Sequence, residues 1–134
     1  MSKSFGMFGL AMISLLLACA KQNPELSASV ERGKEVYTEF CTVCHQPNGL
    51  GVENTFPPLA KSDYLFNNRK ASIHAIKYGA SGEITVNGKK YVGSMTRLGL
   101  SNKEIADVMN YIMNSWGNKS DKIVTEDEVT KVEK

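Results

Sequence analysis

A strong net charge is missing from this chain. Its 134 residues carry 16 basic and 14 acidic side chains, which leaves a formal charge of +2 with histidine neutral. The basic residues form no stripe of the kind that nucleic-acid-binding domains typically show. We therefore expect no nucleic-acid partner.

Histidine and cysteine are also scarce, with two and three residues respectively. Residues 41–45 read CTVCH and hold three of these five side chains. A structural zinc site needs four ligands, but no second Cys/His pair follows in the sequence and His74 stands alone. A thioredoxin-like Cys-x-x-Cys site needs a βαβ context, which the sequence pattern lacks. Both interpretations of the pair are therefore disfavoured.

The CTVCH segment has the spacing of covalent c-type haem attachment. On a helical turn, residues i, i+3 and i+4 point to one side, so Cys41, Cys44 and His45 can meet the same partner. Haem carries two vinyl groups on one edge, and each can take up a thiol to form a thioether. We predict one covalent haem c, attached through Cys41 and Cys44, with His45 below the iron.

Long apolar runs are missing as well, with one exception at the N-terminus. Residues 5–18 are uncharged and largely apolar, Lys3 precedes them, and a polar segment begins at Lys21. This run is shorter than the about 20 residues that a helix needs to span a bilayer. The pattern is typical of a signal peptide, which we assign to residues 1–18.

Residues 16–19, Leu-Leu-Ala-Cys, resemble a bacterial lipoprotein box, in which the cysteine becomes the lipidated first residue. We predict lipidation of Cys19, and several acyl chains on one residue would anchor the protein firmly. The alternative is an ordinary signal peptide cut near Ala18 or Ala20. The lipidated form would be attached to a bacterial membrane, with its domain in the periplasm or extracytoplasmic space.

Beyond residue 18 the sequence pattern predicts a linker, one domain and a tail. Residues 19–28 read as a lipid-anchored linker, and residues 29–118 have the length of one domain. Residues 119–134 carry five acids and four lysines among mostly polar residues. We predict that this charged tail is flexible or a frayed helix.

Apolar spacing predicts a first helix over residues 29–40. Gly33 lies inside it, where glycine costs about 1 kcal/mol relative to alanine. This cost suggests that another helix crosses closely at Gly33, although a tolerated surface glycine is the alternative. Tyr111 of the last helix could pack over it.

Three more elements are predicted in the second half of the domain. A middle helix covers residues 68–78, capped by Asn67 or Asn68 and closed by Gly79. The Asn-Gly pair at 87–88, between two β-prone runs over 84–91, predicts a tight hairpin. A last helix starts at a capping box formed by Ser101 and Glu104 and continues to Trp116, where Gly117 stops it.

The second iron ligand distinguishes two functions. In an electron carrier a protein side chain fills this position, and in an enzyme the position stays open. Met109 and Met113 lie on the last helix, where methionines more often fill the core, and His74 is expected to be partly exposed on the middle helix. Met95 lies in an irregular loop over residues 93–99, whose terminal glycines permit a close backbone path. The residues alone leave Met95 either as the ligand or as a methionine packed on the core.

The order of these parts resembles the class I cytochromes c. A helix leads into Cys-x-x-Cys-His, and a proline-containing loop, a methionine loop and a C-terminal helix follow. The resemblance covers about residues 29–118. It rests on CTVCH, Val30 to Lys34, Tyr37, Phe56-Pro57-Pro58-Leu59, Met95, Leu100-Ser101 and Trp116-Gly117-Asn118.

The resemblance implies an all-α class I cytochrome c fold, with three to four helices around one covalently bound haem and a small β-hairpin. His45 and Met95 would be the axial iron ligands, and the carbonyl of Pro57 would accept the other ring N–H of His45. Gly33 and Tyr111 match the crossing of the first and last helices in that family.

The function implied by the resemblance is electron transfer in a bacterial respiratory chain, without catalysis by the protein itself. Its redox partners would be a quinol-oxidising complex and a terminal oxidase or reductase. Three alternatives remain at this point. They are a cytochrome subunit docked to an oxidoreductase, a haem-based sensor and a peroxidase-like haem enzyme.

Overall fold

The computed structural model describes residues 23–134. The predicted signal peptide and the predicted lipidation site at Cys19 therefore lie outside the described residues. Within residues 23–134 the chain forms six helices and one two-stranded antiparallel hairpin. In chain order these are α1 (Pro24–Phe40), α2 (Thr42–His45), α3 (Asp63–Asn67), α4 (Arg69–Tyr78), β1 (Ala80–Val86), β2 (Lys89–Met95), α5 (Asn102–Ile112) and α6 (Glu126–Thr130).

Helix α1 begins five residues earlier than the sequence pattern predicted. Asn23 caps it by accepting a hydrogen bond from the Glu25 amide at 3.0 Å, and Pro24 occupies its first turn. Proline suits that position because its missing N–H has no partner in a helix anyway. Residues 24–28 are therefore helical, which corrects the predicted linker over 19–28 in its second half.

The crossing of α1 and α5 forms the centre of the fold. A Cβ atom on Gly33 would lie 2.0 Å from the carbonyl oxygen of Asp107 and 2.8 Å from Cβ of Tyr111. The close helix crossing predicted at Gly33 is confirmed, with Tyr111 at the predicted place. Side chains of α4, α5 and the C-terminal segment fill the adjoining core, among them Ile73, Ile105, Val108, Met109, Val124 and Val129.

Helix α5 begins as predicted and ends early. Both halves of the capping box are present, since Ser101 Oγ accepts from the Glu104 amide and the Glu104 carboxylate accepts from the Ser101 amide. The helix ends at Ile112 instead of Trp116. Asn118 Nδ2 donates to the carbonyl oxygen of Ile112 at 2.8 Å, so a side chain satisfies a carbonyl at the end of the helix.

The predicted hairpin is present and longer than expected. Asn87 and Gly88 have φ values of 50° and 76°, as an Asn-Gly hairpin turn requires. The strands continue away from the turn until Ala80 pairs with Met95. Met95 is thus the last residue of β2, not part of an irregular loop, because backbone pairing extends across the small residues at 80–82 and 93–94.

The C-terminal segment, residues 119–134, packs on the domain, which corrects the prediction of a flexible tail. Val124, Val129 and Val132 are at most 4% exposed, and the short helix α6 lies between the first and the last of them. Arg69 of α4 donates to both carboxylate oxygens of Glu128 at 2.7 Å. Three valines and one isoleucine are too few to reveal this packing in a segment that is otherwise polar and charged.

Within the described part of the chain, none of the helices combines the length and apolar character required to cross a membrane.

Candidate functional site

A cavity of about 1390 Å³ is lined by residues that lie between Phe40 and Leu98. It exceeds the about 300–1,000 Å³ of a typical small-molecule pocket. Its walls come from the end of α1, from α2, from the 55–57 loop, from α4 and from the hairpin. The predicted site residues Cys41, Cys44, His45, Pro57 and Met95 all line it.

Cys41 and Cys44 lie on one turn at the junction of α1 and α2. Cys41 is the C-terminal cap of α1, and its amide donates to the carbonyl oxygen of Tyr37 at 2.9 Å. Both are free thiols, Cys41 buried and Cys44 partly exposed. Burial, with a smaller contribution from Cys44, raises the pKa of Cys41 to about 11. Redox-active Cys-x-x-Cys pairs have a lowered thiol pKa, so this environment disfavours that alternative.

The ring of His45 is oriented by a backbone carbonyl. Nδ1 lies 3.0 Å from the carbonyl oxygen of Pro57, and since a carbonyl can only accept, Nδ1 must carry the proton. Burial lowers the pKa of His45, and the hydrogen bond to Pro57 opposes that change. The imidazole is therefore neutral at pH 7, with Nε2 unprotonated and able to bind a metal.

The loop that supplies Pro57 is held close to His45. The Gly51 amide donates to the carbonyl oxygen of His45 at 3.0 Å. Gly51 has φ +65°, and a Cβ atom on it would lie 2.7 Å from the Pro57 carbonyl oxygen. The backbones of Val52 and Phe56 exchange two hydrogen bonds of 2.9 and 2.8 Å, which close the loop. Glycine is required at 51 because no larger residue fits there.

Aromatic side chains fix the other side of this loop. Tyr37 donates its phenol proton to the carbonyl oxygen of Gln46 at 2.7 Å. Its ring centroid lies 4.9 Å from that of Trp116, and Trp116 Nε1 donates to the carbonyl oxygen of Pro47 at 3.1 Å. These contacts connect α1 and the residues after α5 to the chain directly after His45.

Met95 reaches the cavity from the end of β2. Its side chain is partly buried and packs against the core. The sequence left two interpretations of this methionine, and the structure places it both in the cavity lining and against the core. Met109 and Met113 are buried in the core at α5, as expected for core-filling methionines.

Helix α4 contributes cavity-lining residues that were not predicted to belong to the site. His74 was expected to be partly exposed, and it is, yet it also lines the cavity and lies 5.1 Å from the Tyr78 ring. Ala71 and Ala75 line the cavity with them, at the i, i+3, i+4 and i+7 spacing of one helix face. The buried Ile73 and Ile76 lie between these positions in sequence. This division of α4 into two faces, one of them carrying the isoleucines, is the sequence signal that could have placed the other face at the cavity.

The residues of the cavity fit a haem. Two thiols and a neutral imidazole lie within one helical turn, and a thioether lies in the same lining. Imidazole and thioether are the axial ligand types of cytochromes c. Apolar side chains complete the lining, among them Phe40, Phe56, Ile84 and Leu98. Fold and site together define a c-type haem protein.

Comparisons with known proteins agree with this class. The family model of cytochrome c matches residues 30–116. Cytochrome c-552 of Thermus thermophilus is 38% identical over 109 residues, which cover 75% of this chain and 82% of that protein. The chain belongs to the cytochrome c family, with the class I fold.

Other relatives are subunits of larger assemblies. The cytochrome c subunit of the quinone alcohol dehydrogenase of Gluconacetobacter polyoxogenes is 34% identical over 104 residues, and that of Gluconobacter oxydans is 30% identical over 102 residues. The match covers 75% of this chain in both cases, but 22% and 21% of those subunits.

This protein is an electron-transfer cytochrome with covalently bound haem c, and an electron carrier rather than an enzyme.

Proposed function

We propose that the chain holds a single haem, with His45 and Met95 as its two axial ligands. The support is that both side chains line one cavity together with Cys41 and Cys44. When bound, the haem supplies reversible one-electron oxidation and reduction. The two cysteines tether it, Pro57 keeps the proton on His45 Nδ1, and Met95 provides a thioether that favours the reduced iron and raises the potential.

Restrained ligands suit electron transfer. His45 is oriented through Pro57, and Met95 ends a strand whose partner is Ala80. Because the protein holds the ring of His45 and the backbone of Met95, these ligands need to move little when the charge of the iron changes. A small rearrangement on electron gain favours fast transfer between this protein and a docked partner.

The setting we propose is a bacterial respiratory chain. Electrons would arrive from a quinol-oxidising complex and leave to a terminal oxidase or reductase. The predicted signal peptide would direct export, and a lipidated Cys19 would then anchor the domain to a bacterial membrane, in the periplasm or extracytoplasmic space. A second candidate role is that of a cytochrome partner docked to a quinone-linked dehydrogenase, which the similarity to the alcohol dehydrogenase subunits favours.

A spectrum of the ferric protein tests the ligand assignment. Methionine bound to ferric haem gives a sulfur-to-iron charge-transfer band in the far red, and we expect Met95→Ala to abolish it. Met109→Leu is the matched control, since Met109 is fully buried in α5 and a volume-conserving exchange is well tolerated. Survival of the band in Met95→Ala would disprove the assignment.

Mass spectrometry of protein purified from native membranes tests the covalent groups. We expect the mass of one haem and of the acyl chains on a chain that begins at Cys19. The Cys19→Ala protein should keep its haem and leave the membrane fraction. A native mass without acyl chains would refute the anchor and leave haem binding untouched.

A further inference from the structure

The hairpin joins Met95 to a distant contact at the other end of the same strand. Strand β2 runs from Lys89 to Met95, which at about 3.3 Å per residue spans about 20 Å. Met95 ends the strand, and the turn at Asn87 and Gly88 precedes it. An isolated two-stranded hairpin is marginally stable in water, so the contacts of this hairpin with the domain decide whether it stays closed.

The turn is bonded to the start of α3 by a reciprocal pair of hydrogen bonds. The Asp63 amide donates to Asn87 Oδ1 at 3.0 Å, and the Asn87 amide donates to Asp63 Oδ1 at 2.7 Å. Asp63 is the first residue of α3, where the cap Ser62 is 3% exposed and accepts from the Leu65 amide. The turn is therefore attached to an ordered helix terminus.

Packing of the hairpin is concentrated near this turn. Val86 and Tyr91 are 2% and 7% exposed. The half that ends at Met95 has far less side-chain contact, since Gly82 lies opposite Gly93 and glycine in a strand offers no side chain to pack. At the very end a Cβ atom on Gly79 would lie 2.8 Å from the Met95 carbonyl oxygen. Between the turn half and Met95, whose own side chain packs against the core, residues 80–83 and 92–94 are exposed and add little packing to the pairing.

We propose that Asp63 and Asn87 are positioning residues for the Met95 thioether, because their mutual hydrogen bonds keep the hairpin closed and Met95 on the iron. This inference rests on the proposed ligation by Met95. Opening of the hairpin as one local unit would release the thioether. An external ligand such as imidazole would bind the iron only in the opened form, so its apparent affinity reports the open fraction.

The experiment measures imidazole affinity of the ferric holoprotein from the loss of the far-red band. Asn87→Gly removes the side-chain acceptor and preserves the left-handed turn, and Asp63→Ala removes the other acceptor. We expect each to raise the imidazole affinity about fivefold, equal to about 1 kcal/mol for one hydrogen bond, and the double variant to raise it further. If Asn87→Gly accumulates poorly, Asp63→Ala tests the same contact.

Two control variants distinguish an effect on the position of Met95 from a general loss of stability of the domain. Lys90→Ala breaks the exposed Lys90–Glu83 pair on the same hairpin, and such surface pairs contribute little. Val129→Ala lowers the stability of the domain far from the hairpin turn. Both should keep the parent imidazole affinity. If the Asp63 and Asn87 variants also keep it while the parent shows the band, the proposal is wrong. A parent without the band overturns the Met95 ligation and this proposal together.

Discussion

The carbonyl oxygen of Asp107 lies where a side chain on Gly33 would begin, 2.0 Å from the position of a Cβ atom. The two helices pack backbone to backbone at this point. A methyl group would push α1, which carries Tyr37, away from α5 and from Trp116.

Gly33→Ala should therefore lower the free energy of unfolding of the holoprotein by at least about 2 kcal/mol, since added atoms at a tight contact force the backbone apart. Denaturant titration measures it. Lys34→Ala on the same helix is exposed and should change stability by no more than about 0.5 kcal/mol. If Gly33→Ala and Lys34→Ala changed the free energy of unfolding equally, α1 and α5 would not cross as closely as the structure shows.

Val129→Ala tests the packing of the C-terminal segment. Val129 is 0% exposed, and removing two buried methyl groups should lower the free energy of unfolding by about 2 kcal/mol. The exposed Glu133 provides the control, because Glu133→Ala should have little effect. If both variants unfold at the same denaturant concentration, the segment is mobile, as its composition suggested.

Asp107 predicts a loss of stability in acid. Burial tends to raise the pKa of this carboxyl, but hydrogen bonds from Arg32, Ser29 and Lys103 outweigh it and hold the pKa below the usual 3.8. A lowered pKa in the folded state means that the unfolded chain binds more protons in that window. This contribution to stability is complete above the unfolded-state pKa and is lost as the pH falls through the folded-state pKa.

The measurement is the slope of unfolding free energy against pH below the usual carboxyl pKa. Asp107→Asn should show a smaller slope than the parent, because the amide does not titrate. Its overall stability should also be lower at neutral pH, since the charged partner of Arg32 is lost. An unchanged acid slope in Asp107→Asn would show that this carboxylate does not carry the effect.

Gly51→Ala tests how the Pro57 carbonyl acts on His45. The added Cβ atom would lie 2.2 Å from the Phe56 carbonyl oxygen and 2.7 Å from that of Pro57, so the loop must shift. A weaker hydrogen bond makes the imidazole a poorer donor, which disfavours ferric iron and should raise the reduction potential. Stability should fall by about 1–3 kcal/mol.

Potentiometric titration measures this effect, with Leu50→Ala as the neighbouring control. Leu50 is 59% exposed, and its replacement leaves the Pro57 carbonyl in place. The two variants should therefore differ in potential. If Gly51→Ala keeps the parent potential while it loses stability, the carbonyl of Pro57 orients the ring without tuning the iron.

Local signals in the sequence predicted those elements whose causes are local. The capping box at Ser101, the Asn-Gly turn and the Cys-x-x-Cys-His spacing each act within a few residues. The start of α1 was misplaced because Asn23 and Pro24 form a cap that the apolar spacing does not register. The end of α5 was misplaced because Asn118 satisfies the Ile112 carbonyl, and a contact from beyond the helix has no local pattern.

The amino-acid sequence alone established the chemistry of attachment, because two thiols and an imidazole on one helical turn need no distant partner to face the same group. Long-range folding established the rest of the site. It brought Met95 and His74 to the cavity that holds His45, and it attached residues 119–134 to α4 through Arg69 and Glu128. The physical reason is that such contacts depend on which surfaces the whole chain buries together, and no short stretch of residues contains that information.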